Sequence, residues 1–417
     1  MIELLAPAGD LEKLKTAVKY GADAVYFGGN FSLRAAAGNF TIEEIEEGID
    51  FLHTNNCKGY LTLNIYAHNY DIESLSNYLK SIKHIPIDAF IISDAGILML
   101  IKEILGDAEI HLSTQANTTN YLSARFWIDN GVSRIVTARE MSIDEIKTFR
   151  ENIPKDIIIE SFAHGAMCMS YSGRCLLSNF MTGRDANKGA CTHPCRWKYR
   201  LVEEERPNEY YPIEEDSRGT YILNSKDLCM IDSIPEMINA GISSFKIEGR
   251  NKSAYYVATV VSAYRYAIDS YLENPKDYKF DYKWLTELSK ASHREFSHGF
   301  YFNKPSSDDS TYDTSDYVRD YTFIGIIKEY DEKTGYATVE QRNKMVNGDE
   351  IEIFGPPSEM KALYGKGVYF VEEVIDEMYD DKNKLIDSAP HPKQILKIKF
   401  KNKVNAGFIM RKKEIAK

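Results

Sequence analysis

Short β-branched runs alternate with amphipathic stretches through the first part of the chain, and this alternation limits the available folds more than any other feature. A run filled by β-branched and aromatic residues favours a strand, whereas apolar residues three or four positions apart favour a helix. Strands that alternate with helices predict a parallel sheet. Eight candidate strands begin at Glu3, Ala24, Tyr60, Ala89, Ile110, Arg134, Ile157 and Ser244.

Two of the intervening helices carry end signals. Asp10 is placed to cap one helix and Gly21 to end it, while Ser142 and Glu145 form a capping-box pattern. Eight strands in this order predict an α/β fold with a (β/α)8-like barrel. The rival fold is a doubly wound open sheet. It usually carries G-x-G-x-x-G after its first strand, and "APAGDLEK" lacks that pattern.

The spacing of the elements predicts three parts. The barrel takes residues 1–305, with a cysteine-rich insertion at about 164–243 between the last two strands. Such an insertion leaves from the C-terminal ends of the strands, the face on which barrel enzymes build their active sites. Residues 306–320 have the composition of a linker, and residues 321–417 alternate like a small β-barrel domain.

The net charge of -11 argues against a protein that coats nucleic acid non-specifically, because binding to phosphates needs positive charge. A local basic face is still compatible with this balance, and the C-terminal stretch is a candidate. The alternative is an ordinary solvated tail or the polar face of a strand. Its cations are Lys393, Lys397, Lys399, Lys401, Lys403, Arg411, Lys412, Lys413 and Lys417.

The N-terminal residues lack the basic and apolar regions of a secretory signal peptide. No apolar run reaches the roughly 18 residues that a membrane-spanning helix needs. We therefore expect a cytoplasmic protein without a membrane partner. Thiols stay reduced in that compartment, so structural disulfides are rare there.

Five of the six cysteines lie between Cys168 and Cys229. A cytosolic cluster of this kind favours metal binding or catalysis over a disulfide framework. Structural zinc fits the thiolates but not the wide spacing. A nucleophilic cysteine with His164 or His193 as its base, an iron–sulfur cluster on dispersed loops, and inert thiols all stay open on spacing alone.

Several segments resemble the U32 family, historically called collagenase-like peptidases. The stretch "ESFAHGAMCMSYSGRCLLS", residues 160–178, carries the pattern of that family's signature. The opening "LLAPAGDLEKLKTAVKYGADAVYFGG" and the segments "GACTHPCRWKY", "NSKDLCMID" and "KIEGR" extend the likeness. Within the family, the chain is similar to the branch that hydroxylates the wobble uridine of tRNA.

The resemblance implies an enzyme that carries a 4Fe-4S cluster. By position, the cluster ligands fall on Cys168, Cys175, Cys191 and Cys229, although Cys195 lies close enough in sequence to replace Cys191. The implied reaction is the oxygen-independent hydroxylation of C5 of the wobble uridine, with prephenate as oxygen donor. Other branches hydroxylate a ribosomal-RNA cytidine or the ubiquinone ring, and the peptidase label is older.

Four further residues are candidates for catalysis. Arg139 and Arg250 follow predicted strands, and their guanidinium groups suit a dicarboxylate, although salt bridges at the barrel rim are the alternative. His164 suits proton transfer near neutral pH, or else packs as a structural histidine. Glu160 lies within a strand, where an inward carboxylate needs a partner such as Lys246.

The predicted partners are the anticodon loop of tRNA, a small dicarboxylate donor, and either a second protein or another copy of the chain. Two rival functions stay open. One is a U32 peptidase, which needs a nucleophile paired with a base. The other is a zinc-stabilised RNA-binding scaffold without catalysis. The identity of the metal separates this scaffold from the hydroxylase.

Overall fold

The computed structural model describes residues 2–32, 39–168, 171, 174–184, 186, 190–197, 201–203, 206–211, 224–303, 310–311 and 318–414. Strands β1–β7 and β12 are parallel neighbours in one sheet, which closes because β12 pairs with both β1 and β7. The predicted (β/α)8-like barrel and its eight candidate strands are thereby confirmed. In chain order the strands of this part are β1 (Glu3–Pro7), β2 (Ala24–Gly28), β3 (Lys58–Leu63), β4 (Ala89–Ile92), β5 (Ile110–Leu112), β6 (Arg134–Val136), β7 (Ile158–Ala166), β8 (Leu201–Glu203), β9 (Arg206–Tyr211), β10 (Asn224–Ser225), β11 (Asp227–Cys229) and β12 (Ser244–Ile247).

The helices of the barrel begin where the sequence signals place them. The Asp10 side chain accepts a hydrogen bond from the backbone N–H of Lys13 at 2.9 Å, and Ser142 and Glu145 form a reciprocal capping box. The helices are α1 (Leu11–Lys19), α2 (Ile42–Thr54), α3 (Ile72–Ile82), α4 (Ala95–Leu105), α5 (Tyr121–Asp129), α6 (Ile143–Glu151), α7 (Leu177–Thr182), α8 (Ile234–Asn239), α9 (Ala254–Glu273) and α10 (Tyr282–Ser289).

Both faces of the barrel strands are buried. In β1, Leu4 belongs to the large core formed with the helices, whereas its neighbour Leu5 packs with Tyr26, Tyr60 and Ile91 in a second cluster. Successive side chains of a strand point to opposite faces, so these two clusters lie outside and inside the barrel. Strands of this kind appear in a sequence as continuous apolar runs.

The insertion adds strands beside the barrel. Strands β8 and β9 pair as an antiparallel hairpin, while residues 204–205 and 212–223 lie outside the described residues. Strand β11 runs antiparallel to the extended end of β7, and this pairing sets Cys229 opposite His164. The predicted division of the chain into domains stays a prediction.

The C-terminal part is an antiparallel half-barrel, which confirms the predicted β domain. Its main sheet has the order β19-β18-β24-β15-β16-β23-β20-β21. Residues 306–309 and 312–317 of the predicted linker lie outside the described residues. The remaining elements are β13 (Phe296–Ser297), β14 (Ser310–Thr311), β15 (Tyr321–Asp331), β16 (Tyr336–Gln341), β17 (Met345–Val346), β18 (Glu350–Phe354), α11 (Pro357–Tyr364), β19 (Val371–Val374), β20 (Met378–Tyr379), β21 (Leu385–Ile386), β22 (Ser388–Ala389), β23 (Ile395–Lys399) and β24 (Ile409–Lys413).

A buried group of alternating charges joins this domain to the barrel. Arg411 on β24 has no exposed surface and binds Glu287 of α10 at 2.6 Å and Glu352 of β18 at 2.7 Å. Lys290 binds the same Glu352 at 2.8 Å. The prediction that Arg411 belongs to a basic face for RNA is therefore wrong, because its charge is used inside the domain interface. Lys417 of the same stretch lies outside the described residues.

No helix in the described part of the chain combines the length and the apolar character that crossing a membrane requires.

Candidate active site at the barrel mouth

A cavity lies at the mouth of the barrel, surrounded by the C-terminal ends of the strands. Because these ends meet at the same edge of a parallel sheet, residues far apart in sequence converge there. One part of its lining is polar and uncharged, and another part is an apolar wall. The polar residues are Thr62, Asn64, Ser113, Thr114 and Gln115, and the wall is formed by Tyr26, Ile91 and Phe162.

Three cationic side chains, Arg139, Lys246 and Arg250, line this cavity together with Glu248. All four residues are more than nine-tenths buried. Glu248 and the Glu160 carboxylate bound to Lys246 supply two negative charges against these three positive ones, so the group keeps a net positive charge. The cavity is therefore suited to an anionic ligand. The structure brings the predicted Arg139 and Arg250 together here, while their roles in catalysis stay predictions.

Two hydroxyl groups and a neighbouring glycine determine the position of the Arg250 guanidinium. Its Nη1 donates to Thr62 Oγ1 at 3.4 Å and its Nη2 donates to Ser32 Oγ at 3.3 Å. Gly28, at the end of β2, lies directly beside the guanidinium, and a Cβ at this position would overlap both Arg250 Nη2 and Ser32 Oγ. Glycine at position 28 therefore leaves the space that the Arg250 side chain occupies.

Replacing Gly28 with alanine is expected to displace Arg250 without removing it. Misplacing a binding group by about 1 Å costs up to about 100-fold in rate, so we expect activity at the mouth to fall by roughly 10- to 100-fold. The measurement is kcat/KM of the Gly28→Ala protein. The control is Gly96→Ala in α4, where the added Cβ comes no closer than 3.0 Å to an Asp94 oxygen. Equal kcat/KM in both variants would contradict this account of Gly28.

Arg139 lies on the apolar wall. Its guanidinium carbon is 4.0 Å from the centre of the Phe162 ring, a close cation–π contact. A salt bridge at the barrel rim was the alternative role for Arg139. The ring contact uses the face of the planar guanidinium, whereas carboxylates bind a guanidinium group at its edge.

Glu160 lies beneath the cavity and is completely buried. Its Oε1 accepts from Lys246 Nζ at 2.6 Å, and its Oε2 accepts from Arg134 Nη1 at 3.0 Å. Burial raises the pKa of Glu160, but the charges of Lys246 and Arg134 outweigh burial and hold that pKa below its ordinary value. Glu160 is therefore ionised and holds Lys246, the partner that the sequence analysis named for it.

His164 lies behind the strand rather than in the cavity. The pairing of β7 with β12 shifts register between Phe162 and His164, and this bulge turns His164 away from the face that carries Glu160. Its ring lies 5.6 Å from Tyr264 and 5.5 Å from Phe296. Burial, followed by the charges of nearby cations, lowers the pKa of His164 to about 3. The imidazole is therefore neutral, and its predicted acid–base role gains no support from this position.

The predicted cluster ligands differ in their surroundings. Cys229 ends β11 and is buried, and burial raises the pKa of its thiol to about 12. Cys168 is exposed just beyond the end of β7, and Cys175, Cys191 and Cys195 are half-buried. A buried thiol of this kind stays protonated at neutral pH unless a metal ion binds the thiolate.

Two contacts fold the cysteine segment onto the mouth. The Arg174 guanidinium lies 5.1 Å from the centre of the Tyr66 ring, and the Tyr66 hydroxyl donates to the Gln115 carbonyl at 2.6 Å. Further along, Ser178 Oγ accepts from the backbone N–H of Thr192 at 3.1 Å. The first contact holds Arg174, the residue before Cys175, at the barrel rim. The second contact joins Ser178, three residues after Cys175, to Thr192, the residue after Cys191.

The thiols suit an iron–sulfur cluster chemically, because the structure records no disulfide bond among the six cysteines, all of which lie in its described part. The arrangement of these thiols does not suit such a cluster. Within the described residues, which include all four predicted ligands, no three Cys, His, Asp or Glu side chains are grouped so that they could hold a metal ion. As described, these residues do not fit a four-thiolate cluster, and the ligand set stays a prediction.

Some residues at the site escaped the sequence analysis. Ser32 and Tyr26 were not singled out, although Ser32 closely follows β2 and Tyr26 alternates with apolar neighbours in that strand. The sequence signal that could have identified both residues is their position within or just after a predicted strand. Asp94, which follows β4, caps α4 by accepting from the backbone N–H groups of Gly96 and Ile97.

The structure combines a parallel barrel, a cationic cavity at the barrel mouth, a cysteine segment beside that mouth and a C-terminal half-barrel. These features place the chain among the barrel proteins whose site lies at the C-terminal ends of the strands. Residues 9–311 match the model of peptidase family U32, and residues 319–411 match that of the peptidase family U32 C-terminal domain. The chain belongs to the peptidase U32 family. The resemblance noted in the sequence is thereby confirmed.

Relatives cover most of the chain. "tRNA hydroxylation protein P1" of Bacillus subtilis (strain 168) is 43% identical over 411 residues, which cover 98% of this chain and 94% of that protein. "tRNA hydroxylation protein P" of Escherichia coli (strain K12) is 37% identical over 395 residues, 85% of this chain and 86% of that protein. "Collagenase" of Porphyromonas gingivalis (strain ATCC BAA-308 / W83) is 34% identical over 366 residues, 85% of this chain and 86% of that protein.

Proposed function

We propose that this chain is an RNA-hydroxylating enzyme that acts on tRNA. The observation that carries the proposal is the 43% identity, over 98% of this chain, with a protein named for tRNA hydroxylation. The similarity therefore spans the barrel, the insertion and the C-terminal domain together. A buried cationic cavity at the barrel mouth is consistent with chemistry that needs an anionic co-substrate.

The proposed target atom is C5 of the wobble uridine in the anticodon loop. Unstacked loop bases are the usual targets of RNA-specific recognition, and chemistry on a ring requires the base to leave the stack. The cavity combines ring and aliphatic surfaces with amide groups, in Tyr26, Phe162, Asn64 and Gln115. Such a combination suits a pyrimidine, whose faces stack and whose edges form hydrogen bonds.

The proposed oxygen donor is prephenate, a dicarboxylate. Arg139 and Arg250 come from the ends of β6 and β12 and line the same cavity, where two guanidinium groups suit two carboxylates. Lys246 adds a third positive charge, and the ionised Glu160 fixes its position. In this account the chain's own residues bind and orient the donor beside the base, and the buried walls exclude water.

Replacing Arg250 with alanine is expected to lower kcat/KM for the donor by about 30-fold or more, because truncating a buried charged contact costs about 2–5 kcal/mol. Arg250→Lys keeps the charge but loses the forked geometry, so it should recover only part of the loss. Steady-state kinetics with varied donor concentration measure the effect. Wild-type kinetics for Arg250→Ala would exclude Arg250 from donor binding.

We also propose a 4Fe-4S cluster on Cys168, Cys175, Cys191 and Cys229, which would supply redox chemistry. The cysteine segment folded onto the mouth and the resemblance to the family support it. Binding must draw the thiols together from their described positions, in the way that metal binding is commonly coupled to folding. Anaerobic purification followed by iron, sulfide and zinc analysis tests this proposal, and about four irons per chain are expected.

We propose that the C-terminal domain binds the tRNA backbone. Lys397 and Lys399 are exposed on the same face of β23. Lys401, Lys403 and Lys412 instead form ion pairs with acidic residues, so this basic face is smaller than the sequence indicates. A protein partner or a second copy of the chain stays a prediction.

Expression in a bacterium that lacks wobble-uridine hydroxylation tests the proposed function. Mass spectrometry of digested tRNA should then detect 5-hydroxyuridine or its derivatives. Purified protein is incubated with collagen and casein in parallel. Unmodified tRNA together with proteolysis would favour the peptidase, and unmodified tRNA with one bound zinc per chain would favour the RNA-binding scaffold.

A further inference from the structure

Lys246 lies at the floor of the mouth cavity with only 5% of its surface exposed. Its Nζ is 2.6 Å from Glu160 Oε1 and 4.4 Å from the centre of the Tyr26 ring. The donor-binding account uses this residue only as a positive charge. An arginine would supply that charge equally well, but a lysine differs chemically because it can lose its proton and attack a carbonyl carbon.

Groups of both charges surround the Lys246 side chain, which is paired with Glu160. Burial lowers the pKa of Lys246, and the neighbouring charges of Arg134 and Arg139 act in the same direction. Glu160 opposes them, but its other oxygen accepts from Arg134 at 3.0 Å, so its negative charge is shared between two cations. The same carboxylate lies within hydrogen-bond distance of Nζ, where it can take the proton that the amine releases.

The cavity selects the partner for such an amine. An acid with a ketone beside its carboxylate would place the carboxylate on Arg139 or Arg250 and the carbonyl towards the floor. Prephenate is a 2-oxo acid, so this step rests on the proposed function for the identity of the natural ligand. A lysine in a cavity that is also lined by two arginines suits any small 2-oxo carboxylate.

We propose that Lys246 is a catalytic residue that forms an imine with the ketone of a 2-oxo acid bound in the mouth cavity. Glu160 takes a proton from the ammonium group, and the amine nitrogen bonds to the carbonyl carbon while a second proton passes from the nitrogen to the carbonyl oxygen. Glu160 returns its proton to the resulting hydroxyl, which leaves as water, and the protonated nitrogen–carbon double bond forms. One ammonium group and one ketone give one protonated imine and one water, so neither oxidant nor reductant is required.

Trapping with borohydride tests this inference without tRNA. The purified full-length chain is incubated with pyruvate, 2-oxoglutarate or prephenate, and sodium borohydride then reduces any imine to a stable secondary amine. Peptide mass spectrometry should place the adduct of at least one of these acids on Lys246. Lys290 is the internal control, because it is equally buried and paired with glutamates but lies at the domain interface.

Lys246 left unmodified by all three acids, or modified no more than Lys290, would overturn the inference. The Lys246→Arg variant keeps the charge beside Glu160 and should lose the adduct. If Lys246 forms an adduct but the chain leaves tRNA unmodified, the proposed function is rejected and the catalytic role of Lys246 is retained. If Lys246→Arg hydroxylates tRNA at the wild-type rate and the wild-type chain forms no adduct, the proposed role of Lys246 is rejected and the proposed function is retained.

Discussion

A chain carrying Cys191→Ala is expected to lose its iron and to leave tRNA unmodified. A 4Fe-4S cluster needs four thiolates, and the family resemblance assigns the third of them to Cys191. Cys175 and Cys191 are also the two cysteines whose following residues are joined by the Ser178–Thr192 hydrogen bond. Removing the thiol at 191 therefore leaves a three-thiolate set. The measurements are iron and sulfide per chain and the tRNA nucleoside content.

Cys195→Ala is the matched control, because Cys195 lies four positions away and is half-buried like Cys191. It should keep both iron and activity. The reverse pattern would move the third ligand from Cys191 to Cys195 and leave the cluster in place. Full hydroxylation by an iron-free Cys191→Ala protein would exclude the cluster from the reaction.

Replacing Arg134 with methionine is expected to destabilise the barrel by about 3–5 kcal/mol, since removing one partner leaves buried charges uncompensated. Arg134 is 1% exposed and bonds to Glu3, to Glu160 and to the Tyr60 hydroxyl. Without it, Glu160 retains Lys246 alone and Glu3 loses its guanidinium partner. Urea unfolding followed by circular dichroism measures the loss.

Arg125→Met on α5 is the control, because Arg125 is exposed and its replacement should change the unfolding free energy by less than about 0.5 kcal/mol. Equal stability of the two variants would mean that the ionic group inside the barrel contributes nothing net. Adding Glu3→Gln to Arg134→Met should recover part of the loss, because it neutralises the carboxylate that loses its guanidinium partner.

The barrel could be predicted because its signals are local. Strands buried on both faces form continuous apolar runs, and Asp10 and Ser142 mark helix starts within a few residues of the hydrogen bonds that they accept. The convergence of Arg139 and Arg250 also followed from position alone, since both residues come just after parallel strands.

The surroundings of His164 and Arg411 could not be predicted in this way. The orientation of His164 depends on a bulge in the pairing of β7 with β12, a strand about 80 residues later in the chain, and a one-residue shift turns a side chain to the other face. Arg411 appears basic and terminal in the sequence, yet its partner Glu287 is 124 positions away. Register and distant partners are properties of the folded chain.

The cysteine segment shows a different limit. Its spacing indicated metal or catalysis but left several chemistries open, because sequence separation says little about distances between residues on loops. The structure adds the contact of Arg174 with Tyr66, which places this segment at the mouth. It also adds the finding that the described thiols are not grouped as metal ligands.

One anaerobic reaction tests the central claim that this chain hydroxylates tRNA with an acid bound at the barrel mouth. The purified chain is mixed with tRNA from cells that lack wobble-uridine hydroxylation and with prephenate labelled with heavy oxygen, and the digested nucleosides are weighed by mass spectrometry. The account predicts 5-hydroxyuridine that carries the heavy oxygen, and none with Arg250→Ala. Unmodified uridine with the wild-type chain, alongside cleavage of collagen or casein, would contradict it.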